Sequence, residues 1–231
     1  SSKGLNPNIS CNVRVKGLNE MAHAGHHRAY RSLVERLNRF PQGAPSSPLL
    51  FDILKMLFSE KEAELVARLP IRPFTAETAA RAWKLDAAAT RKILDERAVL
   101  VDMPQGDTVR YCLPPPMAGF FEFSLMRVRG DIDQKALSEL FYQYLNVEED
   151  FIRALFTGGE TPLGRVFVQE RALPESHALH VLGYERASEV IRSARHIGIS
   201  LCYCRHKMEH VGRDCGAPKD ICMTFNTTAD A

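Results

Sequence analysis

The chain has 231 residues, 45% of them hydrophobic, and its 30 lysine and arginine residues nearly balance 28 acidic ones, for a formal charge of +2. This composition excludes an intrinsically disordered chain and predicts one large or two small domains. No apolar run is as long as a transmembrane helix, and no signal peptide pattern opens the sequence. We therefore expect a cytoplasmic protein in a reducing compartment, without membrane insertion.

Residues 1–47 are predicted to form an N-terminal arm followed by one helix. Met21 is a candidate original start, with the residues before it an extension or tag. The helix is predicted over residues 22–38. It carries four apolar side chains at helical spacing: Tyr30, Leu33, Val34 and Leu37. His23 and His27 could share a metal, but no third ligand lies nearby, so a solvated helix start is favoured.

Residues 48–113 are predicted to form a winged helix-turn-helix. An apolar helical face opens the segment, and residues that typically begin helices follow it. These N-cap residues are Ser59, in a capping box with Glu62, then Thr75 and Asp86. Two strands are predicted at residues 98–101 and 109–113, with a turn over residues 104–107. Helices followed by a hairpin in this order are typical of the winged-helix fold.

The candidate recognition helix of this winged helix has little net charge. Its three basic residues are offset by two acidic ones: Arg91, Lys92 and Arg97 against Asp95 and Glu96. The predicted wing adds only Arg110. Because DNA affinity rests largely on neutralising phosphates, this surface predicts weak DNA binding at most and favours a protein-docking module.

The rest of the chain is predicted to be mainly helical. A rigid break at residues 114–116 precedes helices over residues 117–160, a short strand at 166–168 and a helix at 184–195. One aromatic group is predicted to lie in the core: Phe120, Phe121 and Phe123, with Met126. The fold class is therefore mostly helical α+β. Its predicted units are an N-terminal arm and helix (1–47), a winged-helix domain (48–113), a helical region (114–183) and a cysteine-rich cluster-binding region (184–231).

Four of the six cysteines lie within 21 residues, in the pattern C-x-C-x10-C-x6-C. They are Cys202, Cys204, Cys215 and Cys222. Thiolates suit iron–sulfur clusters and zinc, because both accept four protein sulfurs. We predict one metal site, with a ten-residue loop folding back to bring the third sulfur. A [4Fe-4S] cluster is favoured, and structural zinc is the alternative, although zinc ribbons favour C-x2-4-C knuckles. Two disulfides, or buried thiols that share no site, are less favoured interpretations.

Other residues near the four cysteines could tune such a site. Several cations are close in sequence: Arg192, Arg195, Arg205, Lys207, Arg213 and Lys219. They would stabilise an anionic cluster or form a solvated basic loop. His206 and His210 could each replace a sulfur ligand. Cys11 is isolated, and Cys112 is predicted to be a small buried hydrophobe. No catalytic motif is visible, so no catalytic residue is assigned.

Three segments together resemble a known family. They are residues 20–26 (EMAHAGH), 114–123 (PPPMAGFFEF) and 202–207 (CYCRHK). They are similar to the ferredoxin-like [4Fe-4S]-binding proteins of anaerobic bacteria, which carry a winged-helix-like N-terminal part. The resemblance implies that the four clustered cysteines bind the cluster and that electron transfer is the role. Such proteins usually continue into a second cysteine-rich segment, so this sequence is truncated or lacks further clusters.

The sequence leaves three functions open. The first is an electron-transfer protein that serves a redox partner, as a homo-oligomer or a subunit of a larger complex. The second is a cluster-containing winged-helix transcription regulator that senses redox state and binds DNA. The third is a zinc-stapled scaffold that binds only protein. We favour the first, because four cysteine ligands leave no iron open to a substrate.

Overall fold

The computed structural model describes residues 23–95, 100–106, 108–157, 184–226 and 229. Within this part of the chain the protein is mainly helical, with small antiparallel sheets, as the sequence predicts. The helices are α1 His23–Leu37, α2 Pro48–Leu57, α3 Glu60–Ala67, α4 Ala76–Trp83, α5 Ala87–Asp95, α6 Phe121–Met126, α7 Gln134–Tyr142, α8 Glu149–Thr157, α9 Tyr184–Ser193 and α10 Tyr203–His210. The strands are β1 Phe74–Thr75, β2 Val101–Gln105, β3 Thr108–Cys112, β4 Ile197–Leu201 and β5 Asp220–Phe225.

Side-chain caps set the starts of the helices in the first half of the chain. Ser59 and Glu62 form the predicted capping box at α3. Thr75 accepts a hydrogen bond from the backbone of Thr78 at α4, and Asp86 accepts one from Ala89 at α5. All three predicted N-caps are therefore confirmed, because a cap depends only on residues within one turn of each other.

A three-stranded antiparallel sheet, in the order β1-β3-β2, pairs β1, which precedes α4, with the hairpin β2–β3 that follows α5. The predicted hairpin is corrected in part. Strand β2 lies at 101–105 and extends beyond the predicted 98–101, of which residues 98 and 99 lie outside the described residues. Residues 104 and 105, predicted to belong to the turn, are part of β2, and the turn lies at Gly106, which has a φ of 59°. Pro104 can belong to β2 because that strand is at the sheet edge, where a missing N–H need not break a ladder. Strand β1 was not predicted, since two residues carry no periodicity.

The core joins the N-terminal helices to the helical middle of the chain. Phe121 packs against Phe141, Tyr144 and Phe151, with ring centroids 5.1, 5.9 and 5.7 Å away. Phe120 and Phe121 are buried as predicted, whereas Phe123 is only half-buried. Tyr144 also donates a hydrogen bond to the carbonyl of Pro45 at 2.8 Å. These contacts fix the helices that support the cysteine-bearing segment.

The predicted helical region is interrupted at several places. Two short stretches are π-helical, at Pro116–Phe120 and Gln143–Val147, and the segment between α6 and α7 is not helical. The predicted strand at 166–168 lies outside the described residues. None of the helices that the structure describes is long and apolar enough to cross a membrane.

The C-terminal unit, β4–α10–β5, corrects one prediction. Strand β4, which includes residues 199–201, pairs antiparallel with β5. The ten-residue loop expected between the second and third cysteines is largely helix α10, which packs against α6 and α7. One face of α10 has helical spacing, at Tyr203, His206 and Lys207. Because two of these three residues are polar, the hydrophobic periodicity that predicts a helix is missing.

Candidate metal centre

The four cysteines all lie in the β4–α10–β5 unit. Cys202 occupies the N-cap position of α10, and its N–H donates to the carbonyl of Lys219 at 2.8 Å. Cys204 is exposed in the first turn of the helix, and Cys215 is exposed in the segment that follows it. Cys222 lies on β5, where it is the register partner of Ser200. All four thiols are free of disulfides, so the predicted alternative of two disulfides is wrong.

The segment that carries Cys215 returns to the start of α10. Arg205 donates a hydrogen bond from Nη1 to the carbonyl of Pro218 at 2.6 Å, and Lys219 forms an ion pair with Glu209. The turn at Gly216 has a φ of 68°, a conformation that glycine adopts without steric strain. These contacts hold the backbone of the third cysteine's segment to the helix that begins at the first two.

Among the described residues, no group of three or more His, Cys, Asp or Glu side chains is placed to hold a metal ion. The convergence of the four sulfurs within about 7 Å of one another, with metal–sulfur bonds near about 2.3 Å, therefore stays a prediction. The donor set itself fits a thiophilic centre, because it consists of four free thiols on one small unit. In many proteins the thiolate ligands come together only when the metal binds.

The buried side of α10 carries a lysine that the sequence placed in an exposed loop. Lys207 is only 6% exposed, and its Nζ donates to Asn146 Oδ1 at 2.7 Å. Burial lowers the pKa of Lys207, and the nearby Cys204 and Glu122 act in the opposite direction. The predicted role of Lys207 in a solvated basic loop is therefore wrong.

Tyr203 lies beside this lysine on the same buried side. Burial raises the pKa of Tyr203 most strongly, and its hydrogen bond to Cys204 and its interactions with Glu122 add to the effect. Glu122 also accepts a hydrogen bond from the N–H of Gly119 at 2.8 Å. Glu122 thus connects the first π-helical stretch to α6, the helix that packs against α10.

The two histidines of α10 contact each other. The Nε2 atoms of His206 and His210 are 2.9 Å apart, and the ring centroids are separated by 4.8 Å. Burial lowers the pKa of His206, and His210 and Lys219 lower it further. Whether either histidine replaces a sulfur ligand stays a prediction. The other histidine pair, His23 and His27, lies at the start of α1, and a metal shared by the two stays a prediction.

The remaining basic residues near the thiols occupy different settings. Arg192, Arg195 and Arg213 are exposed, and Arg205 is half-buried. The guanidinium of Arg213 lies over the ring of Tyr142, 5.0 Å from its centroid, and hydrogen-bonds the Tyr142 hydroxyl. Arg205 and Arg213 belong to the β4–α10–β5 unit and are named its basic surface, whereas Arg192 lies on α9 and Arg195 precedes β4. Lys207 does not belong to it.

The two isolated cysteines are accounted for separately. Cys112 is half-buried at the end of β3, and its Sγ donates to the carbonyl of Leu113 at 3.5 Å. Burial raises the pKa of the Cys112 thiol, which suits the small hydrophobe that the sequence predicts. Cys11 lies outside the described residues.

Sequence reasoning missed Asn146, Glu122 and Tyr203 as residues of the site. Asn146 and Glu122 lie far from the cysteines along the chain, so the sequence does not connect them to the site. Asn146, for example, is 61 residues from Lys207. The one indication in the sequence is the position of Tyr203 between Cys202 and Cys204. Comparison with known proteins adds no assignment: no family model, curated protein or solved structure matches this chain.

Proposed function

We propose that this chain is an iron–sulfur electron-transfer protein that holds one [4Fe-4S] cluster through Cys202, Cys204, Cys215 and Cys222. The observation that carries the proposal is the presence of four free thiols on one β4–α10–β5 unit. The resemblance to ferredoxin-like [4Fe-4S]-binding proteins supports it. The cluster, when bound, supplies one-electron transfer.

The residues of the unit have distinct tasks in this proposal. Cys204 and Cys215 are exposed, so a redox partner can approach the site closely. The N-terminus of α10, where Cys202 occupies the N-cap position, would present the positive end of the helix dipole to a bound anionic centre. Helices α6 and α7 form the rigid support on which α10 rests.

A cluster-containing transcription regulator is the second candidate, and one observation favours it. Residues 48–113 contain α2, α3, β1, α4, α5, β2 and β3, and the strand order β1-β3-β2 is that expected of a winged helix. We infer that this unit docks protein rather than DNA, which is why the regulator ranks second. Arg91, on the candidate recognition helix α5, lies 3.9 Å from Glu77, so part of its charge is already offset.

Anaerobic purification followed by analysis of iron, sulfide and zinc tests the proposed cluster. We expect about four irons and four sulfides per chain, and an EPR signal on reduction. Serine variants of each of the four cysteines should lose iron, whereas the matched control Cys112→Ser should retain it. Stoichiometric zinc without sulfide would establish the scaffold function instead. Iron that survives all four serine substitutions would overturn the ligand assignment.

A further inference from the structure

A cavity of about 450 Å³ lies between the β4–β5 hairpin, helix α6 and the edge strand β2. Its walls are mainly apolar: Val101 and Met103 on β2, Phe123 and Met126 on α6, and Ile199 on β4. The first four of these side chains are half-buried, and Ile199 is 64% exposed. Phe123, which the sequence predicts in the core, therefore faces this cavity instead.

The hairpin that closes one side of the cavity has little other support. Strands β4 and β5 pack chiefly on each other, and a two-stranded sheet is at best marginally stable in water by itself. A molecule in the cavity would contact the hairpin on one side and α6 and β2 on the other. Binding would thus remove apolar surface of three elements from water.

The volume of the cavity decides what kind of molecule can occupy it. Sites for small molecules are typically about 300–1,000 Å³ in volume, and this cavity lies within that range. Two turns of an α-helix about 10 Å in diameter fill about 850 Å³, nearly twice the space. A helix of a partner protein is therefore too large, whereas a small organic molecule fits.

The chemistry of the walls favours an aromatic occupant without positive charge. The thioethers of Met103 and Met126 make favourable contacts with aromatic rings, and so does the ring of Phe123. The guanidinium of Arg127, a further wall residue, lies over the Phe123 ring, 5.0 Å from its centroid, and donates from Nη1 to the carbonyl of Leu100 at 2.7 Å. Among the described residues of the wall none is acidic, so a cation would lose its water without gaining a counter-charge.

We propose that this cavity is a binding site for a small aromatic molecule that carries no positive charge. The site does not depend on the proposed cluster, because the described wall includes none of the four candidate cysteine ligands. It joins two parts of the chain, since β2 belongs to the predicted winged-helix segment and β4 to the unit that carries the cysteines.

Saturation-transfer NMR titration of the full chain with 1-naphthalenemethanol tests the proposal. We expect saturable binding with a dissociation constant of about 1 mM or tighter, as for good ligands of this size. The matched probe 1-naphthylmethylammonium has the same rings and linking carbon but carries a positive charge. It should bind at least about tenfold more weakly, because the cavity offers no acidic side chain to replace its water.

Two substitutions locate the bound probe. Val101→Trp should fill part of the cavity and weaken binding by about tenfold or more. Its control is Val109→Trp, because Val109 is 37% exposed on the neighbouring strand β3 and lies outside the wall. Phe123→Ala removes the aromatic wall and should also weaken binding by about tenfold, whereas Phe156→Ala alters a 46% exposed ring on α8 and should not.

Each outcome bears on the proposal once circular dichroism has shown which variants fold. Absence of saturable binding of 1-naphthalenemethanol to the wild type would overturn it. Unchanged binding in a folded Val101→Trp protein would do the same, because the probe would then lie elsewhere. If Val101→Trp does not fold, Phe123→Ala decides: a loss relative to Phe156→Ala supports the site, and equal affinities refute it. Equal affinities for the two probes would overturn the assigned ligand class.

Discussion

The guanidinium of Arg36 is completely buried and donates from Nε to the carbonyl oxygen of Leu69 at 2.9 Å. Its Nη2 donates to the next carbonyl, that of Pro70, at 2.6 Å. Burial lowers the pKa of Arg36 to about 10. One side chain thus attaches α1 to the end of α3, and it satisfies two carbonyls that follow the last turn of that helix.

Replacing Arg36 with methionine should destabilise the protein by about 1–3 kcal/mol. The apolar chain fills part of the space, but the carbonyls of Leu69 and Pro70 lose their donors. Urea denaturation followed by circular dichroism gives the free energy of unfolding. The control Arg31→Met alters an exposed arginine of the same helix and should stay within about 0.5 kcal/mol. An Arg36→Met protein as stable as wild type would show that the cost of burying the guanidinium cancels the stability gained from its hydrogen bonds.

Adding a methyl group at Gly119 should destabilise the first π-helical stretch. A Cβ there would lie 2.9 Å from Cγ of Pro114, in contact with a rigid ring that cannot move aside. We expect Gly119→Ala to lower the free energy of unfolding by about 1–3 kcal/mol. Gly130→Ala is the control, because a Cβ at that position meets nothing within 4 Å. Equal effects of the two substitutions would contradict the packing argument.

The carboxyl group of Glu77 should titrate below its ordinary value of 4.5. A hydrogen bond from the Thr75 side chain is the main cause, and a backbone hydrogen bond and Arg91 add to it. A lowered folded-state pKa means that the associated stability is present above pH 4.5 and is lost as the pH falls through the lowered value. NMR titration should show the pKa of Glu77 rising in Thr75→Val but not in Thr75→Ser.

Thr75→Val also removes the N-cap of α4, so its stability should fall by about 1 kcal/mol at neutral pH. Thr75→Ser keeps a hydroxyl in the same place and should restore most of that loss. A Glu77 pKa that is the same in all three proteins would show that the hydroxyl of Thr75 does not set it.

Residues 48–113, the predicted winged-helix segment, should bind DNA only weakly. Fluorescence anisotropy with a random-sequence duplex at physiological salt should give a dissociation constant no tighter than about 1 μM. The reason is the small net charge of α5, where Arg91 approaches Glu77. Selection of binding sites from a random library provides the stricter test. Sequence-selective binding well below micromolar would favour the regulator function.

The basic surface should control how fast an anionic redox partner docks. Arg205→Gln combined with Arg213→Gln should slow reduction by an acidic ferredoxin, used as the probe donor, several-fold at low salt. The difference should shrink as salt is added, because salt screens exposed charges. Lys207 stays unchanged in this variant, since it is buried. Equal rates for variant and wild type at low salt would exclude this surface as the docking site.

Local sequence determined much of the helical framework. The predicted helix over residues 22–38 corresponds to α1 at His23–Leu37, and Thr75 and Asp86 begin helices as expected. These features depend on side chains within one or two turns of each other, so their signals are contiguous. The choice of the four cysteines as candidate ligands also came from sequence, through thiol chemistry and spacing, and its test remains the iron analysis.

Only the tertiary structure decided the surroundings of those cysteines. The sequence pattern of α10 predicts a polar loop, because the burial of Lys207 depends on Asn146 in a distant segment of the chain. Likewise, strand β4 is defined by its pairing with β5, which places Ser200 opposite Cys222. Burial of a polar side chain and pairing of two strands are properties of two separated segments. Neither segment, taken alone, carries the physical information that specifies the contact.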